Sequence, residues 1–238
     1  MRTRQREWLV GVAGLGVSIA VFAIWPGLDV WLTQFFYSAA SHSFPANQSP
    51  WVHTLYVATP WLTRTGFVVS CLLLLYLNTR PQSHLLGLRR RLLSWVIMAV
   101  VGLGVVVDWG LKDNVGRPRP EQLEIFGHSK PFVPAFELSA HCDVNCGFVS
   151  GHAAAGFSVM AWGMWSTWSR RKRWLLAATT AGLVIGSVRI VQGGHFLSDV
   201  IFAGWAVWLS YQAIRQTWLL LRLRRYKRTL LGEIPLQK

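Results

Sequence analysis

Residues 147–173, GFVSGHAAAGFSVMAWGMWSTWSRRKR, decide the fold of this chain. An apolar run long enough to cross a bilayer begins with Ser150, Gly151 and His152 and ends before four basic residues. The run predicts a membrane-spanning helix, and the basic residues predict that its second end lies in the cytoplasm. The sequence therefore predicts that the first end, with Ser150, Gly151 and His152, lies at the opposite face of the membrane.

The composition favours a membrane protein over a soluble one. Of 238 residues, 52% are hydrophobic and 14% are charged, whereas soluble domains carry about a quarter charged residues. A formal net charge of +14 could indicate nucleic-acid binding, but the Lys and Arg residues form short clusters between apolar runs. We therefore expect no nucleic-acid partner, and we expect one integral membrane domain over residues 1–238.

Six apolar segments predict an all-α, polytopic fold with about six transmembrane helices in one bundle. The strands of a membrane barrel would instead alternate apolar and polar residues. The first segment exceeds the apolar core of a cleaved signal peptide, which is the competing interpretation. The predicted spans are 8–25, 62–77, 92–111, 147–168, 174–189 and 196–221.

The basic clusters predict which side of the membrane each loop occupies. Alternation of six spans brings all four clusters to one side, which the positive-inside rule identifies as the cytoplasm. These clusters fall within 2–6, 80–91, 170–173 and 222–228. Both termini are then cytoplasmic. In a bacterium this arrangement implies the cytoplasmic (inner) membrane, with the remaining loops, 26–61, 112–146 and 190–195, facing the periplasm or the outside.

Basic residues also lie on the outer side, where the positive-inside rule does not explain them. Lys112, Arg119 and Arg189 predict a site for an anion with several oxygens, because the guanidinium fork suits phosphate. Ser150 and the amide of Gly151 begin a helix, where free N–H groups and the helix dipole favour an anion. Taken together, these residues predict a phosphate site at the outer ends of the helices.

Two histidines and an aspartate supply the predicted chemistry at that site. His195 and Asp199 are spaced i, i+4 and share a helix face, so that Asp199 can fix the tautomer of His195 and leave its other nitrogen as a nucleophile. His152 is then the general acid that protonates the leaving oxygen. The same His and Asp residues could bind a divalent metal, but the surrounding cations would repel it. We expect no metal and no cofactor.

The spacing resembles the signature of the type 2 phosphatidic acid phosphatase superfamily, which reads K-x6-RP, PSGH and SR-x5-H-x3-D. Lys112 and Arg119-Pro120 match the first part. Val149 takes the place of the proline in the second part, and Val188 takes the place of the serine in the third. The departure at Val188 removes one hydrogen bond to phosphate.

The resemblance covers about 112–199 and implies a metal-independent membrane lipid phosphatase that forms a phosphohistidine. It makes His195 the nucleophile, Asp199 its partner and His152 the acid. The phosphate-binding residues that it implies are Lys112, Arg119, Ser150, Gly151 and Arg189. The implied substrate is a phosphomonoester or diphosphate of a membrane lipid, of the undecaprenyl diphosphate, lipid A, phosphatidylglycerol phosphate or phosphatidate class. The short chain and the DVNCGFVSGH context favour the first two.

Alternative functions and assignments remain open at this point. A lipid phosphotransferase would pass the same phosphoryl group to another lipid, and a non-catalytic lipid-binding or transport protein would only bind the phosphate. A haloperoxidase of similar signature would be soluble, which the spans disfavour. Cys142 and Cys146 form either a local disulfide or no bond. We expect Asp108 to meet a basic group or water, and His128 and His141 to be solvated.

Overall fold

The all-α class is confirmed. The structure, a computed structural model, describes residues 3–79 and 83–230, and within these ranges it contains helices and no β-strand. Its α-helices, α1 to α8, are Thr3–Ile24, Leu28–Thr33, Pro50–Thr79, Leu86–Ile97, Asp113–Val115, Gly151–Ser158, Trp168–Val191 and Leu197–Leu230. A π-helix, Met98–Lys112, joins α4 to α5. The 3₁₀-helices are Gln34–Phe36, Pro45–Gln48, Ser83–Leu85, Pro120–Gln122, Glu124–Phe126 and Val159–Gly163.

Four helical stretches within the described ranges are long and apolar enough to cross a membrane. They are Gln5–Ile24, Pro50–Thr79, Leu86–Gln122 and Trp168–Val191, and they correspond to the first, second, third and fifth predicted spans. Large apolar side chains such as Val10, Leu62 and Leu75 are exposed on these helices. Such surfaces are costly in water and suit lipid, so the chain is a multi-pass membrane protein.

The second of these helices begins twelve residues before the predicted start, 62. Pro60 lies inside α3, although proline in a helix interior usually breaks or kinks the helix. Proline lacks an N–H group, so the carbonyl of Tyr56, four residues earlier, loses its helical partner. That carbonyl instead meets Nε2 of His152 at 3.1 Å, and a membrane helix tolerates proline when a neighbour satisfies the freed backbone group in this way.

The predicted span 147–168 has a different form from the others. It consists of α6, which begins at Gly151, followed by the 3₁₀-helix Val159–Gly163, and its residues lie mostly in the buried core. Small residues explain the position, because Gly156 lets α6 approach the backbone of α7 at Gly182. The last helix, α8, extends nine residues beyond the predicted 221. The count of six spans stays a prediction.

Ion pairs of a buried acid mark the end of the bundle opposite to Arg189. Near the start of α1, Glu7 accepts a hydrogen bond from Arg171 at 2.8 Å and lies 3.6 Å from Arg215. Arg171 lies in the first turn of α7 and Arg189 in its last turn, about 27 Å away at the usual helical rise. A basic end with a buried acid therefore faces away from the end that holds Arg189. Arg2 and Arg80, from two of the predicted clusters, lie outside the described residues.

Gly156→Ala tests the contact between α6 and α7. A Cβ at position 156 would lie 2.8 Å from both Cα and N of Gly182, which is backbone that cannot rotate away. We expect the free energy of unfolding to fall by about 1–3 kcal/mol, the usual cost of overpacking. Gly16→Ala is the matched control, because a Cβ there meets nothing within 4 Å. Unfolding in detergent–SDS mixtures measures both variants, and equal stability of the two would contradict the close contact.

Candidate active site

A buried arginine, Arg117, lies between two buried carboxylates, those of Asp29 and Asp199. The guanidinium of Arg117 is fully buried and forms ion pairs with Asp29 at 2.9 Å and with Asp199 at 2.5 Å. Its Nε donates to the carbonyl of Val133 at 2.8 Å, and its Cζ lies 4.3 Å from the centre of the Phe196 ring. Arg117 is therefore occupied by the protein itself and is not available to an anion.

Both carboxylates of this group are also bound to the beginning of α8. The side chain of Asp199 accepts the N–H of Phe196 at 2.8 Å, and Asp29 accepts the N–H of Ser198 at 2.9 Å. These N–H groups have no partner within the helix, and acidic side chains are favoured there. The group Asp29–Arg117–Asp199 thus joins α2, the loop after α5 and the start of α8.

The position of His195 follows from this anchor. His195 lies in the turn between α7 and α8, and its Nδ1 is 2.8 Å from the carbonyl oxygen of Gly147 and 3.5 Å from Oδ2 of Asp199. A carbonyl can only accept, so Nδ1 carries the hydrogen and Nε2 holds a lone pair. Burial lowers the pKa of His195 to about 4, which keeps the imidazole neutral at pH 7.

The expected pairing of His195 with Asp199 is therefore present but is the longer of two contacts. The carbonyl of Gly147 makes the shorter one and fixes the tautomer more directly. Gly147 is itself held in place, because its N–H donates to the carbonyl of Arg117 at 2.7 Å. The same arginine residue thus fixes Asp199 through its side chain and Gly147 through its backbone.

His152 is held against α3 by Tyr56. The two rings are stacked, with centroids 5.0 Å apart and planes at 15°, and Nε2 of His152 lies 3.1 Å from the Tyr56 carbonyl that Pro60 leaves free. The guanidinium of Arg189 also lies over the Tyr56 ring, 4.6 Å from its centroid. One aromatic residue of α3 therefore contacts both the predicted acid and one of the predicted phosphate ligands.

The cations Lys112 and Arg119 meet at Asn145. Nζ of Lys112 donates to the side-chain oxygen of Asn145 at 2.6 Å, and Nη2 of Arg119 donates to its backbone carbonyl at 2.8 Å. Lys112 also faces Gly151, since a Cβ at that glycine would lie 3.6 Å from Nζ. The absence of a side chain at Gly151 leaves room between the lysine and the first turn of α6.

Arg189 is buried at the end of α7 and has a neutral partner. Its Nη1 donates to the side-chain oxygen of Gln192 at 2.5 Å. The guanidinium passes directly over Gly194, where any Cβ would overlap it. This contact gives a physical reason for glycine directly before His195.

Ser150 caps α6. Its buried hydroxyl oxygen accepts the N–H of Ala153 at 3.4 Å, and its own N–H donates to the carbonyl of Asp199 at 3.0 Å. An N-cap serine uses an oxygen lone pair and keeps its O–H hydrogen. The cap therefore leaves the O–H hydrogen of Ser150 free to be donated, and its contact with phosphate stays a prediction.

The three sequence clusters meet in space. Arg119 and Arg189 lie within electrostatic range of both His152 and His195, and Lys112 lies within range of His152. All the predicted phosphate ligands and both histidines therefore border one region at one end of the bundle. The arrangement places several positive charges near the neutral imidazole of His195, which has a lone pair on Nε2. Such a combination suits phosphoryl transfer.

A cavity of about 860 Å³ opens from this region between α3 and the π-helix. Lys112, Asn145, Gly151 and His152 line its polar part. Asp108, expected to meet a basic group, is exposed on the cavity wall within electrostatic range of Lys112 and of Arg64. The apolar lining residues include Val57, Phe67, Val68, Val100, Leu103 and Val107. The cavity can therefore take an amphiphile whose anionic group lies at the cationic end.

Sequence reasoning missed several residues that organise the site. Asp29 and Arg117 were not assigned, although Asp29 is the only acidic residue between Glu7 and Asp108, and a lone acid in an apolar segment needs a partner. Asn145 and Tyr56 act largely through backbone carbonyls and ring faces, for which the sequence gives no signal. His128 and His141 are exposed, as expected.

Comparison with known proteins gives relatives over most of the chain. The sequence profile of the PAP2 superfamily matches residues 91–221. A lipid A 4′-phosphatase of Francisella tularensis subsp. novicida (strain U112) is 34% identical over 206 residues, 82% of this chain and 90% of that protein. Proteins of the same name from Rhizobium leguminosarum and Rhizobium etli are 31% and 28% identical over 201 residues, 79% of this chain and 85% and 77% of theirs. No solved structure gives a significant match.

Asp29→Ala tests the buried group. Arg117 would remain buried with one of its two carboxylates, and breaking a buried ion pair costs about 3–5 kcal/mol. We expect the free energy of unfolding in detergent–SDS mixtures to fall by that amount. Glu124→Ala removes an exposed acid and should change stability by less than about 0.5 kcal/mol. If the two variants unfold alike, the buried group is not an anchor.

Proposed function

This chain belongs to the PAP2 superfamily, and we propose that it is a lipid phosphatase that hydrolyses the 4′-phosphate ester of lipid A. The class of enzyme rests on the family and on relatives named lipid A 4′-phosphatase that match along most of their length. One structural observation carries the proposal: Lys112 and His152 line the polar part of a cavity with apolar walls, and Arg119 and Arg189 lie within electrostatic range of both His152 and His195. A lipid phosphate has both the charge and the apolar body for that cavity.

Phosphate binding is assigned to the cations and to the start of α6. Lys112, Arg119 and Arg189 neutralise the phosphate oxygens, and the Gly151 amide and Ser150 hydroxyl donate further hydrogen bonds. Charge neutralisation and alignment are the main requirements of phosphoryl transfer. A divalent metal would be repelled by the same three cations, so we propose a metal-independent reaction.

His195 is the proposed nucleophile. Its Nε2 lone pair attacks phosphorus, the bond from phosphorus to the sugar oxygen breaks, and that oxygen takes a proton from His152. Asp199 and the Gly147 carbonyl stabilise the positive charge that develops on the imidazole, since both lie on its Nδ1 side. Water then attacks the phosphohistidine with His152 as base, and inorganic phosphate leaves with His195 restored.

Replacing either histidine should abolish phosphate release from lipid A. We expect His195→Asn to reduce release to background, and His152→Asn to reduce the rate by about 10²–10⁴-fold, the usual contribution of a general acid. His128→Asn is the matched control, because that histidine is exposed in an outer loop. Purified protein in detergent is incubated with lipid A, free phosphate is measured, and mass spectrometry locates the phosphate that is lost.

Other outcomes of this assay identify other functions. Transfer of phosphate to a second lipid, without free phosphate, would establish a phosphotransferase. Binding without turnover would establish a lipid-binding or transport protein. Release should persist in EDTA, and loss of activity that a divalent ion restores would exclude the metal-free reaction. Turnover of undecaprenyl diphosphate or phosphatidate in preference to lipid A would refute the assigned substrate.

The orientation in the membrane is also part of the proposal. Six spans in a bacterial inner membrane bring both termini and the basic end around Arg171 to the cytoplasm, and the polar site to the periplasm. The supporting observation is that Arg171 and Arg189 lie at opposite ends of α7. Lipid A phosphate groups would then be removed at the outer face of that membrane.

Cysteine labelling tests this orientation. In a Cys71→Ser background, His128→Cys should react with a membrane-impermeant maleimide in intact spheroplasts, because the outer loop is exposed. Lys227→Cys, on the exposed final turns of α8, should react only after lysis. The reverse pattern, or labelling of both positions before lysis, would show that the orientation is wrong.

A further inference from the structure

A small covalent ring adjoins the phosphate-binding cations. Cys142 and Cys146 are joined by a disulfide, which settles one of the alternatives left open by the sequence. The ring CDVNC contains Asn145, and Asn145 contacts both Lys112 and Arg119. Nothing assigned so far explains why this loop is closed by a covalent bond.

Asn145 separates two like charges by placing an acceptor against each. Lys112 donates to its side-chain oxygen at 2.6 Å and Arg119 donates to its carbonyl at 2.8 Å. Each cation keeps further N–H groups for an anion, because the ammonium has three donors and the guanidinium five. Without these acceptors, mutual repulsion would drive Lys112 and Arg119 apart.

The backbone at Asn145 needs support to hold this position. Its φ is +55°, in the left-handed region where asparagine is tolerated better than most residues. The loop from 143 to 145 is exposed, so packing does little to hold it, whereas Cys146 is buried. The disulfide therefore ties an exposed loop to a buried point next to Gly147, whose carbonyl contacts His195.

We propose that Asn145 is a positioning residue for Lys112 and Arg119, and that the Cys142–Cys146 disulfide holds it there, so that phosphate binding depends on the oxidised ring. The inference rests on the proposed function only in that the site binds a phosphate group. It also agrees with an outward-facing site, because disulfides persist in the oxidising periplasm and not in the cytoplasm.

Reduction of the ring by a dithiol is the reversible test. Dithiothreitol attacks the sulfur of the half-buried Cys142, forming a mixed disulfide and releasing the Cys146 thiol. The second thiol of dithiothreitol then attacks the mixed disulfide and releases the Cys142 thiol. The reagent becomes a cyclic disulfide, so it is oxidised and both cysteines are reduced. We expect the dissociation constant for vanadate, a phosphate mimic, to rise about tenfold, the order of effect when a hydrogen bond to a charged group is lost.

Dithiothreitol is first removed by desalting under nitrogen, because thiols reduce vanadate, and calorimetric titration of the purified full chain with vanadate then measures this change. Reoxidation should restore tight binding, and Cys71→Ser should respond to dithiothreitol as the wild type does. A Cys142→Ser, Cys146→Ser double variant should bind weakly and no longer respond. Unchanged vanadate binding in the reduced wild-type protein would overturn the proposal, whatever lipid the enzyme hydrolyses.

Two substitutions at Asn145 separate positioning from a structural role. Asn145→Gly keeps the left-handed backbone accessible and removes the acceptor for Lys112, so vanadate should bind about tenfold more weakly with an unchanged unfolding midpoint. Asn145→Asp keeps the acceptor and should bind vanadate within a few-fold of the wild type. If both variants bind vanadate equally weakly and both have a lower unfolding midpoint, the role of Asn145 is merely structural and the proposal is overturned. Unchanged vanadate binding in Asn145→Gly would also overturn it.

Discussion

The buried group of Arg117 between Asp29 and Asp199 is the constraint on which the rest of the site depends. Burying three charged side chains is costly unless each one has ion-pair and hydrogen-bond partners. Here the contacts that supply those partners also hold structural elements in place. Asp29 brings α2 to the start of α8, Asp199 lies beside His195, and the backbone of Arg117 holds Gly147. His195 is oriented by Asp199 and by the carbonyl of Gly147, and both are held in place by Arg117.

The partners of the basic residues distinguish the structural arginine, Arg117, from the three cations that are proposed to bind phosphate. Arg117 is paired with carboxylates, which cancel its charge. Lys112 and Arg119 are held by the neutral oxygens of Asn145, and Arg189 by those of Gln192 and by the face of Tyr56. Glu121 approaches Arg119 only to 3.9 Å at the solvent edge, where ion pairs contribute little.

Neutral acceptors fix a cation without neutralising it. The three cations are therefore kept in place against their mutual repulsion while their charge remains available to an incoming anion. Such preorganisation is the main source of transition-state stabilisation in phosphoryl transfer. It also explains the amides and carbonyls around the site, since neutral oxygens position the cations and leave their charge available to an anion.

The sequence was sufficient to identify the family and the class of enzyme, because both follow from residue type and spacing. The spacing of Lys112 and Arg119, and of Arg189, His195 and Asp199, could be read directly, and the apolar runs predicted the helical class. Asp29 could not be paired with Arg117, because 88 residues separate them and a sequence carries no distance information at that range. The sequence also does not show that α3 continues through Pro60, because the Tyr56 carbonyl that the proline leaves free is met by His152, 96 residues away.

Backbone groups were the least predictable part of the site. The carbonyls of Gly147, Asn145 and Tyr56 contact His195, Arg119 and His152, and every residue type carries a carbonyl. In retrospect, three residues of the sequence explain why these carbonyls are accessible. Pro60 lacks an N–H, Asn145 has a left-handed backbone, and Gly147 has no side chain. These are backbone constraints rather than chemical motifs.

In the proposed function, helix α3 links lipid binding to the chemistry. Its residues from Tyr56 to Val68 form one wall of the cavity, and the same helix holds His152 through the Tyr56 carbonyl and ring. Arg189 lies on that ring as well. An amphiphile whose apolar part occupies the cavity would press on the wall that positions both His152 and Arg189. Because one helix serves both purposes, the fit of the apolar part of the substrate and the alignment of its phosphate are not independent.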